Sequence, residues 1–441
     1  MKKTKLALAI AASAMISTPV LATNGDVLIG LGAQSRALGG TGAAAFFGSE
    51  NALTNPGLLG KMQGSEFAIG GTIFMPNVET DTNVAMMPGT SAKQKSDNDL
   101  NIIPEVSLAT RLSENLTFGL GIFGSAGMGV DYRDNDGQLD GTGLFNGYSN
   151  LQLMKFAPTL AYNQSNFGVG FAPVIQYGAL DINYKSRNNA GTPMDPSDDT
   201  VTNHGNGMST DLGYGFNLGG YFDITPELTI GLAYQSAINM KYKDQITVAA
   251  CGFGVGPTGC SANPQTNTII SDELEQPAEL KIGAAYTMGS MMYTADYKQI
   301  AWGQAKGYKD FNWQDQSVFA LGAKYSGNGY WAGIGYNYAE DPIKKLSDTS
   351  YANQAVNLFN NHFFPGIVES HITLGGGYEL NKRMTIEGAV VMATEVSKTV
   401  NSGIITDMMS DGVYSADPVD GTTHKVTHSQ VGYTVSLRMN F

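Results

Sequence analysis

Apolar and polar residues alternate with a period of two along most of this chain. The stretch 431–441 reads VGYTVSLRMNF: Val431, Tyr433, Val435, Leu437, Met439 and Phe441 share one face. Gly432, Thr434, Ser436, Arg438 and Asn440 share the other. Alternation over so long a run predicts a β-strand. The pattern recurs at Phe67, Ile69, Gly71 and Ile73; at Leu116, Phe118, Leu120 and Ile122; and at Leu228, Ile230, Leu232 and Tyr234. It recurs again at Leu280, Ile282, Ala284 and Tyr286, at Phe319, Leu321, Ala323 and Tyr325, and at Ile372, Leu374, Gly376 and Tyr378. The intervening positions carry Gly, Ala, Ser, Thr, Asn and Gln, with occasional charges. One apolar and one small or polar face suits a strand standing between lipid and a lumen. Tyrosines near the strand ends suit an interfacial aromatic girdle.

The connections alternate in length. Short turns fall at 113–114, 164–166, 225–226, 288–290, 327–328 and 381–382, and long polar stretches at 79–99, 131–149, 186–208, 244–275, 302–314, 341–366 and 401–424. Together these predict an all-β fold: a transmembrane antiparallel β-barrel of about fourteen strands over 65–441, with short periplasmic turns and long outer loops. The sheet must close, because lipid offers no partner to an open edge.

Two segments precede it. Lys2, Lys3 and Lys5 lead an apolar run from Leu6 to Ile16, followed by Val20-Leu21-Ala22. That is a signal peptide, 1–22, with export implied; the run is too short to cross a bilayer as a helix. The segment 23–64 is rich in Gly and Ala and shows no sustained period-two run. It is too apolar for a disordered tail, since Phe46, Phe47, Leu53, Leu58 and Leu59 would sit in water. A plug inside the lumen is the expectation.

Composition narrows the function. Charged residues make up 15% of the chain, with 55 glycines and a net charge of −13; nucleic acid needs clustered Lys and Arg, so it is excluded as a partner. Cys251 and Cys260 enclose CGFGVGPTGC, which in an oxidising compartment reads as one disulfide within an outer loop. Gly119-Leu-Gly121-Ile-Phe-Gly124 matches a dinucleotide fingerprint but sits in a strand without a βαβ unit. The acidic loop 131–143 lacks acids at the first and twelfth positions of a calcium loop. No GxSxG or HExxH occurs, so no cofactor or metal and no enzymatic activity is expected.

The stretch SRALGGTGAAAFFGSENALTNPGLL, 35–59, resembles the N-terminal hatch of the outer-membrane long-chain fatty acid transporter family, which also includes aromatic-hydrocarbon transporters. The family's Asn-Pro-Ala step is here Asn55-Pro56-Gly57. Further similarity lies in Gln276 to Leu280, Tyr297 to Trp302 and Val318 to Tyr325, and in the terminal Phe441. The resemblance implies an outer-membrane barrel plugged by a hatch, capture of a hydrophobic molecule among the outer loops, and a lateral exit at a kinked third strand. Gly124, Gly127 and Gly129 support such a kink, since strand-interior glycine marks a bulge or close approach. The terminal aromatic resembles the signature of bacterial outer-membrane barrels, implying the barrel assembly machinery as a partner through Phe441. A monomer is expected.

Strand parity places Lys155, Lys281 and Lys298 on the lumen face, where a lysine needs a partner. A wall carboxylate such as Glu279 or Asp296 would serve, and so would the head group of an acidic amphiphile whose chain lies against residues such as Phe46 and Phe47. Three readings remain open: passive uptake of long-chain fatty acids or aromatic hydrocarbons, a general porin, and a barrel lipase. Uptake of a hydrophobic molecule fits the apolar plug best.

Overall fold

The computed structural model describes residues 23–83, 91–134, 144–188, 200–253, 270–405 and 421–441. Fourteen strands run round a closed antiparallel barrel. They are β1 (Ser65–Asn83), β2 (Asn101–Arg111), β3 (Leu116–Asp131), β4 (Leu144–Gln164), β5 (Phe167–Asn188), β6 (Ser209–Asp223) and β7 (Leu228–Gln235). Then follow β8 (Glu279–Met288), β9 (Met291–Ile300), β10 (Gln316–Ser326), β11 (Tyr330–Ala339), β12 (Ser370–Asn381), β13 (Met384–Asn401) and β14 (Thr423–Asn440). The barrel closes where β14 pairs with β1, from Thr423↔Asn83 to Asn440↔Glu66.

The period-two pattern maps onto the wall directly. Tyr433 and Val435 are exposed on the outside at 47% and 59%, while Thr434 and Ser436 point inward at 2% and 4%. The outward residues form the lipid-facing surface, and the inward ones face the chain's own interior.

Strand pairing runs further than the alternation suggested. Residues 79–83, expected in a loop, continue β1 and pair with a short strand, Ser91–Lys95; Thr200–His204 extends β5 in the same way. The rim is therefore uneven. β4 and β5 have 21 and 22 residues, whereas β8 and β9 have 10 each. Above the short side the long connections fold into the mouth instead of standing up from it.

The segment 23–64 lies against the inward faces of the strands. It carries helices α1 (Gly32–Ala37) and α2 (Asn51–Thr54) and a 3-10 helix, Pro56–Lys61. Wall side chains satisfy its backbone: Asn337 Nδ2 donates to Gly39 O at 2.9 Å, Thr373 Oγ1 to Ala37 O at 2.9 Å and Asn217 Nδ2 to Leu53 O at 2.6 Å. The described parts of the outer connections also carry helices, among them α3 (Ile246–Gly252) and α4 (Tyr351–Phe363). The sequence reading placed both in loops. α4 starts where the Ser350 side chain accepts from Asn353 N–H, an N-cap, and buries Leu358, Phe359 and Phe363. The expected signal peptide, 1–22, lies outside the described residues.

Candidate functional site

The hatch begins with a tight hairpin, Thr23↔Leu28 and Asn24↔Val27. Its turn rests on Gly25, whose φ of +70° favours glycine. A Cβ there would also lie 2.7 Å from Trp302 Cζ2 and 2.9 Å from Trp313 Cζ3. The hairpin tip thus sits inside an aromatic cage: the rings of Trp302, Tyr308 and Trp313 stand 4.6 to 5.0 Å apart, centre to centre. Tyr308 donates its hydroxyl to Asp26, and Gln276 Nε2 donates to the same carboxylate at 3.1 Å. Burial pushes the Asp26 carboxyl up to about 6, against these hydrogen bonds.

Beside the cage lies an apolar void of about 20 Å³, lined by Met128, Leu151, Leu180, Phe311, Trp313 and Phe359 among others. Phe311 and Phe359 stack at 4.7 Å. The rings come from connections that share no periodicity, and the void holds no molecule of useful size as it stands.

Against the other face of the hairpin is a cavity of about 50 Å³ whose wall mixes charged and apolar side chains, room for a few waters. Lys155, Lys281 and Lys298 all face it, with Gln235, Glu279, Asp296 and Asn24. Lys155 Nζ donates to Gln235 Oε1 at 2.9 Å, and Lys298 Nζ pairs with Glu279 Oε2 at 3.4 Å. Asp296 Oδ2 is committed to the hatch, accepting the N–H groups of Gly42 and Ala43 at 2.8 Å each. Lys281 stands directly across the β8–β9 ladder from Lys298, and like charges so placed repel. Asn24 is buried with neither side-chain nitrogen nor oxygen partnered among the described residues. Three ammonium groups thus meet two carboxylates.

Phe46 and Phe47 are elsewhere. Phe47 packs with Leu38, Ala45 and Ala285, and Phe46 against Ala52, Leu59 and Met62, so both are packing residues of the hatch base. Asn55 holds that base to the wall. Its Nδ2 donates to Ala43 O at 2.6 Å and to Gly220 O at 3.0 Å, while its Oδ1 accepts Gly57 N–H at 3.0 Å. Pro56 opens the 3-10 helix, where its fixed φ costs nothing. A Cβ on Gly57 would lie 2.7 Å from Gly220 Cα, so with this backbone the third position of the step takes glycine, and the family's alanine would need the hatch to stand further from β6.

The wall itself is incomplete at β3. Pairing of β2 with β3 runs from Arg111↔Thr117 to Glu105↔Phe123 and stops. From there β3 follows β4 alone, with a register shift between Gly124 and Ala126, the signature of a bulge. Gly124 faces Ile103, its Cβ position 2.6 Å from Ile103 Cγ2, and Gly129 lies against Ser149 O. The freed edge of β3 pairs instead with the hatch hairpin, Val27↔Ala126, and Gly127 N–H donates to Asp26 O at 3.0 Å. Above the gap the wall is rejoined by Asp97 N–H to Asp131 O at 2.8 Å. One hairpin therefore touches the cage, the lysine cavity and the gap.

Sequence reading missed Asp26, Tyr308 and Trp313, which no pattern marked, and met Trp302 only as the end of a stretch of family similarity. Arg36 and Arg438, both buried and ion-paired, were also missed, although Arg438 stands at a lumen position of the most regular strand. Cys251 ends within α3 and is not free; Cys260 lies outside the described residues.

A family model described as "Outer membrane protein transport protein (OMPP1/FadL/TodX)" matches residues 26–441. A 47 kDa outer membrane protein of Pasteurella multocida is 23% identical over 366 residues, 76% of this chain and 78% of that protein. Among solved structures, the Ralstonia pickettii toluene transporter TbuX aligns with a TM-score of 0.60 at 18% identity, covering 94% of this chain and 99% of the other. A Pseudomonas aeruginosa FadL homologue aligns with a TM-score of 0.65 at 14% identity, covering 95% and 100%.

Proposed function

Since this chain belongs to the OMPP1/FadL/TodX family of outer membrane transport proteins and carries hydrophobic compounds across the outer membrane, we propose that its cargo is an acidic amphiphile of the long-chain fatty acid type. The observation that carries this reading is the set of three inward lysines across the hatch hairpin from the apolar void, one of them, Lys281, without an ion-pair or hydrogen-bond partner among the described residues. The chain of the amphiphile would lie among Met128, Phe311, Trp313 and Phe359 and its carboxylate at the lysines. Transport is passive: no step needs an energy source, only movement of the hairpin that separates the two compartments.

The voids of about 20 and 50 Å³ are closed-state volumes. An alkyl chain fits only once the hairpin leaves the aromatic cage. That same displacement removes the pairing at Ala126 and the hydrogen bond to Gly127, so the gap between β2 and β3 opens as the cargo is accommodated. Exit would then be sideways into the membrane.

A second reading, a neutral aromatic hydrocarbon, is favoured by the cage itself and by the toluene named for TbuX. A general porin is disfavoured by a lumen filled with hatch. Uptake of a fatty acid and of a neutral hydrocarbon of similar length, measured side by side in proteoliposomes, separates the two cargo readings. Preference for the hydrocarbon would reject the acidic amphiphile.

A further inference from the structure

The hatch is fastened to the wall by a buried cluster in which one guanidinium serves three carboxylates. Arg438 of β14 donates Nη1 to Glu66 Oε1 of β1 at 2.5 Å and Nη2 to Glu50 Oε2 of the hatch at 2.7 Å. Its Nη2 and Nε also reach Glu387 Oε2 of β13, at 3.0 and 3.3 Å. All four side chains are buried. The hatch backbone presses on them: a Cβ on Gly48 would lie 1.9 Å from Arg438 Nη1, and one on Gly32 would lie 2.6 Å from Glu50 Oε1.

The charges around this cluster do not balance. Lys324 of β10 comes near, but its Nζ donates to Gln34 Oε1 at 2.6 Å and not to a carboxylate. Arg36 of α1 is committed to Glu105 of β2 at 2.5 Å. Three ionised carboxylates would thus outnumber Arg438 and Lys324 together in a site closed to water. An unbalanced buried charge is costly, and carboxylates sharing a site resolve the conflict by keeping a proton.

The three are not equivalent. Glu66 also accepts Ser49 N–H at 2.6 Å, and Glu387 accepts Gln34 Nε2 at 2.8 Å and Trp331 Nε1 at 3.2 Å. Glu50 accepts from Arg438 alone among the described residues. It is the one least stabilised as an anion. Burial, and behind it Glu387 and Glu66, pushes the Glu50 carboxyl up to about 8 against the pull of Arg438.

We propose that Glu50 is a proton-bearing positioning residue, and that loss of its proton releases the hatch from β1, β13 and β14. The proposal rests on the hatch closing the lumen and is independent of which cargo is carried. The carboxyl binds its proton more tightly in the closed hatch than when freed. Closure is therefore fully favoured below the ordinary carboxylate range, and that advantage is lost as pH rises through about 8.

The test is ion conductance of the purified full chain in planar bilayers, from about pH 5 to about pH 9. The wild type should open more often as pH rises, by about tenfold across the upper half of the range. Glu50→Gln keeps the shape and the hydrogen bond to Arg438 without the charge, and should stay closed throughout. Glu387→Gln, which removes a competing charge, lowers the proton affinity of Glu50 in the closed hatch, so the rise should be smaller and level off at lower pH. A wild type that is flat with pH, or a Glu50→Gln variant that rises like the wild type, overturns the proposal. If Glu50→Gln fails to give a barrel that resists unfolding on unheated gels, the Glu387→Gln shift decides. A hatch-deleted chain provides the separate control: if it conducts no better than the wild type, the plug itself is wrong, not the proton.

Discussion

The backbone N–H of Gly127 donates to the carbonyl of Asp26 at 3.0 Å, so a strand of the wall completes its hydrogen bonding on the plug. The edge of β3 that β2 abandons beyond Phe123 would otherwise face lipid unpaired, which is costly. In this structure one hairpin fills the lumen and covers the gap in the wall.

A staple across that gap should block transport. The Cβ position of Gly124 lies 3.8 Å from Ile103 Cβ, within the range a disulfide spans. The double variant Gly124→Cys with Ile103→Cys, in a Cys251→Ser, Cys260→Ser background, is expected to lose most uptake when oxidised and regain it on reduction. Uptake unaffected by oxidation would argue for an exit elsewhere.

Replacing each lysine by Met separates head-group recognition from structure. Lys281→Met is expected to fold normally and relieve repulsion with Lys298, yet weaken fatty acid uptake several-fold and spare a neutral hydrocarbon. Lys298→Met strips Glu279 of its ion pair, at a cost of roughly 3 kcal/mol, and should lower thermal stability measurably. Equal effects on both cargos at all three sites would favour a neutral substrate.

Removing 23–64 should leave a folded barrel, since the β14–β1 pairing that closes the sheet involves no hatch residue. Conductance should rise sharply and selectivity for hydrophobic cargo vanish, because about fourteen strands enclose an open lumen. Bilayer recording of the deleted chain is sufficient to decide.

Cys251 and Cys260 are expected to pair with each other, steadying the connection after β7. Reduction should leave barrel stability within about 1 kcal/mol while altering loop proteolysis. Peptide mapping without reductant that finds two free thiols would refute the pairing.

The barrel was legible in the sequence because lipid enforces a strict two-residue period, as at Tyr433 and Val435 against Thr434 and Ser436. Where strands leave the bilayer that enforcement ends. Thr80 and Thr82 face inward on a strand whose outer side meets water, and no apolar face announces it. Helix α4 was hidden differently: Asn353, Asn357, Asn360 and Asn361 make its stretch read as polar loop, although Asn357 and Asn360 bond the backbone carbonyls of Leu346 and Phe311. The three lysines could be placed by counting parity alone. The cage could not, since Tyr308 meets Asp26 across 282 positions of sequence and nothing local to either residue points to the other.

The chain has three tryptophans, and two of them, Trp302 and Trp313, form the cage around Gly25, while Trp331 lies by Glu387 at the hatch fastening. Natural chromophores thus mark two of the places where the hatch meets the wall, the hairpin tip and the Arg438 cluster. Their emission gives two intrinsic optical signals without any attached dye: a red shift on solvent exposure of the pair at the hairpin, and a change in quenching for the one at the fastening. With Trp331→Phe and with Trp302 and Trp313 each replaced by Phe, stopped-flow fluorescence can time the release of each end separately and tell which moves first.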